Sequence, residues 1–187
     1  MANNFLKEVI ANTTNKVNLV IINQKQFKTS IDYLLEKLLL EQKNEIILVS
    51  FSQPGKEILN KFNSPKLHII DAFSEEEENE KIIYLKAGNL TKLQIEIDEL
   101  MKEKSIVIFD SLGVLGLYNS AQDVGKFVYF FSNKIKLNNN SCIFVVVKES
   151  IDEESDSSSS LEEEERINAV IPKFPVQIIG MEYCLWK

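Results

Sequence analysis

Two rhythms of apolar and polar positions alternate along the chain. Short, β-branched apolar runs recur as VNLVII (17 to 22), EIILVSF (45 to 51), KLHIID (66 to 71), KIIYLKA (81 to 87), SIVIFD (105 to 110), CIFVVVK (142 to 148) and VQIIGMEY (176 to 183). Several are continuous rather than alternating, the pattern of strands covered on both faces. The segments between them follow a helical period. TSIDYLLEKLLLEQ sets Ile31, Leu34, Leu35, Leu38 and Leu39 on one face, and TKLQIEIDELMKE does the same with Leu93, Ile97, Leu100 and Met101, with Thr91 as the candidate cap. SAQDVGKFVYFFSNKIKL turns Val124, Phe127, Val128, Phe131 and Ile135 inward, which leaves Tyr129 and Phe130 to cover a neighbour or a partner. Strand and helix in alternation predict an α/β fold: a three-layer sandwich around a mostly parallel central sheet, joined by right-handed crossovers.

With 187 residues the chain is expected to form a single domain over 1–187. Two segments break its pattern, SEEEENEK and IDEESDSSSSLEEEE, and they carry much of the net charge of −7. The second combines like charge, serines and low hydrophobicity, so a mobile acidic and Ser-rich insertion is predicted at about residues 151–162. Helix is expected to resume in LEEEERINAVIPKF and to end near Pro172.

The acidic balance argues against a general nucleic-acid binder, which needs clustered cations. Arg166 is the sole arginine, leaving one candidate for an arginine finger. No apolar run reaches the roughly 20 residues of a membrane span, and MANNFLKEVI has no secretory pattern, so a cytoplasmic protein is expected. Cys142 and Cys184 read as buried, reduced thiols, and His68 as a strand residue with a local hydrogen bond.

Candidate chemistry starts at NQKQFKTS, residues 23 to 30, between an apolar run and a helix. This is the layout of a phosphate-binding loop, G-x-x-x-x-G-K-[ST], in which Lys reaches phosphate and Ser or Thr holds magnesium. Lys28 and Thr29 occupy the last two positions, but Ile22 and Phe27 stand where the glycines belong. Those side chains obstruct a backbone meant to wrap a phosphate. A simpler reading remains open, in which KTS merely starts a helix with Lys28 in solvent. The run SIVIFDSLG ends in Asp110 at a strand's carboxyl edge, where a carboxylate can hold hydrated magnesium.

From Val17 to Glu154 the chain resembles the archaeal KaiC-like branch of the RecA superfamily, most closely in KSIVIFDSLGVLGLYNSAQDVGKFVYFFSNKI, which is similar to the family's second nucleotide motif and the helix after it. The resemblance implies a RecA-like core and, in active relatives, ATP binding with assembly into rings or filaments. It makes Lys28, Thr29 and Asp110 vestigial ATP-site positions, with Thr29 and Asp110 as magnesium positions if Mg-ATP binds. Where active relatives carry an acid that activates water, SFSQPGKE has Ser52 and Gln53, with Glu57 further along; neither Ser nor Gln takes a proton from water as a carboxylate does. A non-catalytic domain acting through protein partners or self-association along RecA-like edges is therefore expected, without a bound cofactor. The alternative is a weak or atypical ATP-binding switch using ATP and magnesium. A third reading makes the acidic serine segment an adaptor whose serines accept phosphate.

Overall fold

The computed structural model describes residues 2–11, 13–41, 44–75, 79–148 and 177–180. The expected insertion at 151–162, the helix ending near Pro172, Arg166 and Cys184 lie outside them, as do Glu76 to Glu78.

The described strands are β1 (Val17–Asn23), β2 (Ile46–Ser50), β3 (Leu67–Asp71), β4 (Ile82–Tyr84), β5 (Ile106–Phe109), β6 (Ser141–Lys148) and β7 (Gln177–Gly180). The helices are α1 (Ala2–Ala11), α2 (Phe27–Glu41), α3 (Gly55–Lys61), α4 (Leu90–Leu100), α5 (Leu115–Tyr118) and α6 (Ala121–Leu137). Each predicted apolar run contains a strand: β2 to β5 are shorter than their runs, whereas β1 and β6 each reach one residue beyond theirs, to Asn23 and from Ser141. The N-terminal helix α1 was not read from the sequence, although Leu6, Val9 and Ile10 are buried along it.

The strands form one sheet in the order β4-β3-β2-β5-β6-β1-β7, and every pairing is parallel. From β1 the chain crosses to β2 and steps outward through β3 to β4. It then returns to β5 and steps the other way, through β6 and past β1 to β7. Right-handed crossovers send the two directions of travel to opposite faces of the sheet. The core divides accordingly. Ile31, Leu34, Leu35 and Leu38 of α2 and Ile58 of α3 pack with Val20, Ile22, Ile46, Leu48 and Ile108, and Val9 and Ile10 of α1 join them. On the other face Leu93 and Ile97 of α4 and Phe127, Phe131 and Ile135 of α6 pack with Leu19, Ile47, Val49, Val107 and Phe144. The alternate strand residues thus feed two cores, which is the predicted three-layer α/β sandwich.

β2 and β5, in the middle of the sheet, are buried at every position. Around β5 the second core is aromatic: Phe109 lies 5.4 Å from Phe131, 5.9 Å from Phe127 and 4.9 Å from Phe144, edge-on to the first two. The helical faces read from the sequence are the buried ones, but Leu39, Leu100, Met101 and Val124 are only partly buried. α4 is capped by Asn89 and not by Thr91, because Asn89 Oδ1 accepts the Lys92 N–H. Cys142 is buried, and His68 Nε2 bonds Glu45 Oε2 at 2.9 Å, as expected for both.

Candidate functional site at the carboxyl edge

The reversal of direction makes a crevice. β2 leads to α3 on one face, its neighbour β5 leads through α5 to α6 on the other, and the space outside their carboxyl ends is where open α/β sheets bind ligands. Asp110 stands at this place, directly after β5, and is fully buried.

Its carboxylate is already engaged. Oδ1 accepts the Phe51 N–H at 2.7 Å, and Oδ2 accepts the Ser52 hydroxyl at 2.5 Å. The Ser50 hydroxyl lies 3.0 Å from the same Oδ2 and 2.8 Å from the Gln53 carbonyl. It has one proton and donates to one of these acceptors at a time. Burial pushes the Asp110 pKa above the usual carboxylate value, and the bonds from Ser52, Phe51 and Ser50 pull it partly back.

A second buried carboxylate, which the sequence reading passed over, mirrors the first. Asp71 ends β3; its Oδ2 accepts the Gly55 N–H at 2.7 Å, and its Oδ1 accepts the N–H groups of Phe73 and Ser74 at 2.9 and 2.8 Å. The signal was present, since KLHIID ends in aspartate just as SIVIFD does. Between them the two aspartates hold the loop from Ser50 to Gly55. Ser52 and Gln53, at the positions where the resemblance places an acid, are half-buried parts of this clamp. Glu57 is exposed in the first turn of α3.

The other half of the expected site lies after β1. Ile22 is fully buried and paired with Val147, so it belongs to the strand. Asn23, with φ −68° and ψ 141°, caps a 3-10 turn over Gln24–Gln26 by accepting the Lys25 N–H at 3.0 Å. Phe27, at φ −54° and ψ −59°, already begins α2, with its side chain partly buried against the first core. A phosphate nest requires successive amides to converge, commonly through a left-handed residue. The non-glycine residues with positive φ among those described are Asn15, Lys104 and Asn139, none of them in this loop. Strand, tight turn and helix therefore follow one another without a cradle.

Lys28 and Thr29 are exposed on the first turn of α2. They share the carboxyl edge with Asp110, but β6 stands between β1 and β5, a lateral separation of about 10 Å at two strand spacings. None of the three lines the cleft of about 610 Å³ found where the starts of α4 and α6 approach each other, with Asn89, Thr91, Gln94, Asn119 and Asp123 on its walls and Phe127 beneath.

Among the described residues no cluster of three or more His, Cys, Asp or Glu side chains is placed to hold a metal ion, and no helix is long and apolar enough to cross a membrane. No protein-family model matches the chain, and no curated protein matches it at a significant level.

Proposed function

We propose that the chain is a non-catalytic RecA-like domain of the KaiC-like kind, acting in the cytoplasm through protein–protein interaction or assembly, with ATP hydrolysis lost. The observation that carries this reading is the connection from Asn23 to Phe27, a 3-10 turn with no left-handed residue where a phosphate loop would open. The bonded state of Asp110 supports it, because a carboxylate whose oxygens already accept N–H and O–H groups has little left to offer a hydrated cation. One observation favours the alternative, a weak ATP-binding switch: Lys28 and Thr29 are exposed at the start of α2, where helix amides attract anions.

Isothermal titration of the full chain with Mg-ATP separates the two readings. The proposal expects no binding heat beyond dilution, and the same null result for Lys28→Ala. Micromolar binding that Lys28→Ala abolishes would sink it and establish the switch.

A further inference from the structure

The cleft between the starts of α4 and α6 takes no part in the nucleotide chemistry weighed above. Its volume of about 610 Å³ falls within the roughly 300–1,000 Å³ of small-molecule sites. Both helices begin at the carboxyl edge of the parallel sheet, so the cleft opens on the side where α/β folds place ligands. Helical spacing gathers its residues. Thr91 and Gln94 are three apart on α4, next to the cap Asn89, and Asp123 and Phe127 are four apart on α6, just after Asn119.

The fold accounts for only one atom in each of the bonded wall residues. Asn89 Oδ1 accepts the Lys92 N–H at 3.0 Å, Asn119 Nδ2 donates to the Leu115 carbonyl at 3.1 Å, and Asp123 Oδ2 accepts the Ser120 hydroxyl at 2.7 Å. That leaves the Asn89 Nδ2 protons, one Asn119 N–H with its Oδ1, and Asp123 Oδ1. The Thr91 hydroxyl and the Gln94 amide are bonded to no other described residue. Beneath them the Phe127 ring is buried and held between Phe131 at 5.6 Å, stacked, and Phe109 at 5.9 Å, edge-on. The lining thus mixes donors and acceptors over a fixed apolar floor.

Charge narrows the ligand. The amino ends of α4 and α6 bring about half a positive charge each and Asp123 brings one negative charge, so the signs nearly cancel. No Lys, Arg or His lines the cleft, and a phosphate there would face Asp123 without a cation to hold it. A single carboxylate is equally too little for a divalent cation. Hydroxyl groups, which donate and accept alike, suit every group on the walls. We infer that this cleft binds an uncharged, polyhydroxylated small molecule, a sugar or a sugar-like polyol, with a C–H face of the ligand on Phe127. The inference goes beyond the assembly reading and does not depend on it, since Lys28, Thr29 and Asp110 lie outside the cleft.

Amide proton–nitrogen correlation spectra of the full chain test this, recorded during titration with D-glucose, D-galactose, D-mannose, D-ribose and trehalose to well above millimolar, and separately with inorganic phosphate. At least one sugar is expected to shift amides in 88–94 and 119–127 saturably, with a Kd on the order of 1 mM. Thr91→Val with Gln94→Met keeps the shape of both side chains and removes their hydrogen-bonding groups, so the double variant binds that sugar about tenfold more weakly. If the double variant fails to fold, as its own spectrum shows, Gln94→Met alone carries the comparison and weakens binding at least threefold, about half of the effect on a free-energy scale. No saturable shift with any of these sugars, shifts as large with phosphate, or undiminished affinity in the variant overturns the inference.

Discussion

Asp110→Ala separates a carboxylate that holds a loop from one that waits for a metal. Removing the side chain orphans the Phe51 N–H, whose residue is only 4% exposed, at a cost of about 1–3 kcal/mol. The serine hydroxyls suffer less: Ser50 turns fully to the Gln53 carbonyl, and Ser52 is half-buried and reaches water. The void left by the carboxyl group adds about 1 kcal/mol, and relief of a buried charge subtracts a similar amount. A net loss of about 2–4 kcal/mol follows, on the order of 10 °C in Tm for a chain of this length. Asp110→Asn keeps an acceptor for Phe51 and removes the charge, so it falls within about 1 kcal/mol of wild type at neutral pH. Its pH dependence is diagnostic. Because burial raises the Asp110 pKa in the folded state, its contribution is fully present below the ordinary carboxylate value and is lost as pH rises through the raised one. Wild type therefore gains on Asp110→Asn as pH falls through that window. Urea unfolding at a series of pH values measures both effects. Asp110→Ala within about 0.5 kcal/mol of wild type would refute the clamp.

Three further outcomes are expected. Gly55→Ala places a Cβ 3.0 Å from Ile82 Cγ2 and 3.1 Å from both Asp71 Oδ2 and Ile69 Cγ2, so it loses about 1–3 kcal/mol by the same unfolding assay, more than Ala substitution at open Gly125. Asn89→Ala costs about 1 kcal/mol as the lost cap of α4, while Thr91→Ala stays within about 0.5 kcal/mol; thermal melts rank the two, and the reverse order would return the cap to Thr91. Glu45 accepts bonds from Lys102 and His68, which hold its carboxyl below the usual value, so its contribution is present above that value and is lost as pH falls through the depressed one. Glu45→Gln consequently loses less than about 1 kcal/mol at neutral pH, and the deficit closes in acid.

The sheet was legible because strands buried on both faces leave continuous apolar runs, and the main helices because Ile31, Leu34, Leu35 and Leu38 recur at the helical period. α1 is less legible because MANNFLKEVI is short and carries few apolar positions, of which Val9 and Ile10 join the first core and Leu6 is buried beside them in sequence. The site was harder to read. Lys28, Thr29 and Asp110 are placed along one edge by topology, which sequence order implies once the sheet is parallel. Whether Asp110 faces a ligand or a neighbouring loop depends on contacts between residues 58–60 positions apart. No local pattern encodes such a contact. Asn89 outranked Thr91 for a local reason: Thr91 already lies inside the first turn, where a side-chain oxygen no longer reaches forward to orphan amides.

The place of β1 in the sheet has a consequence in time. Its described partners are β6 and β7, beginning with Val17 beside Cys142, 125 residues later, so nothing made earlier can pair with it. During synthesis at about 5–20 residues per second, the apolar run VNLVII waits on the order of ten seconds for its neighbour. α2 forms from local contacts meanwhile and covers one face of the waiting strand; the other face and both edges stay open to a ribosome-bound neighbour or a chaperone.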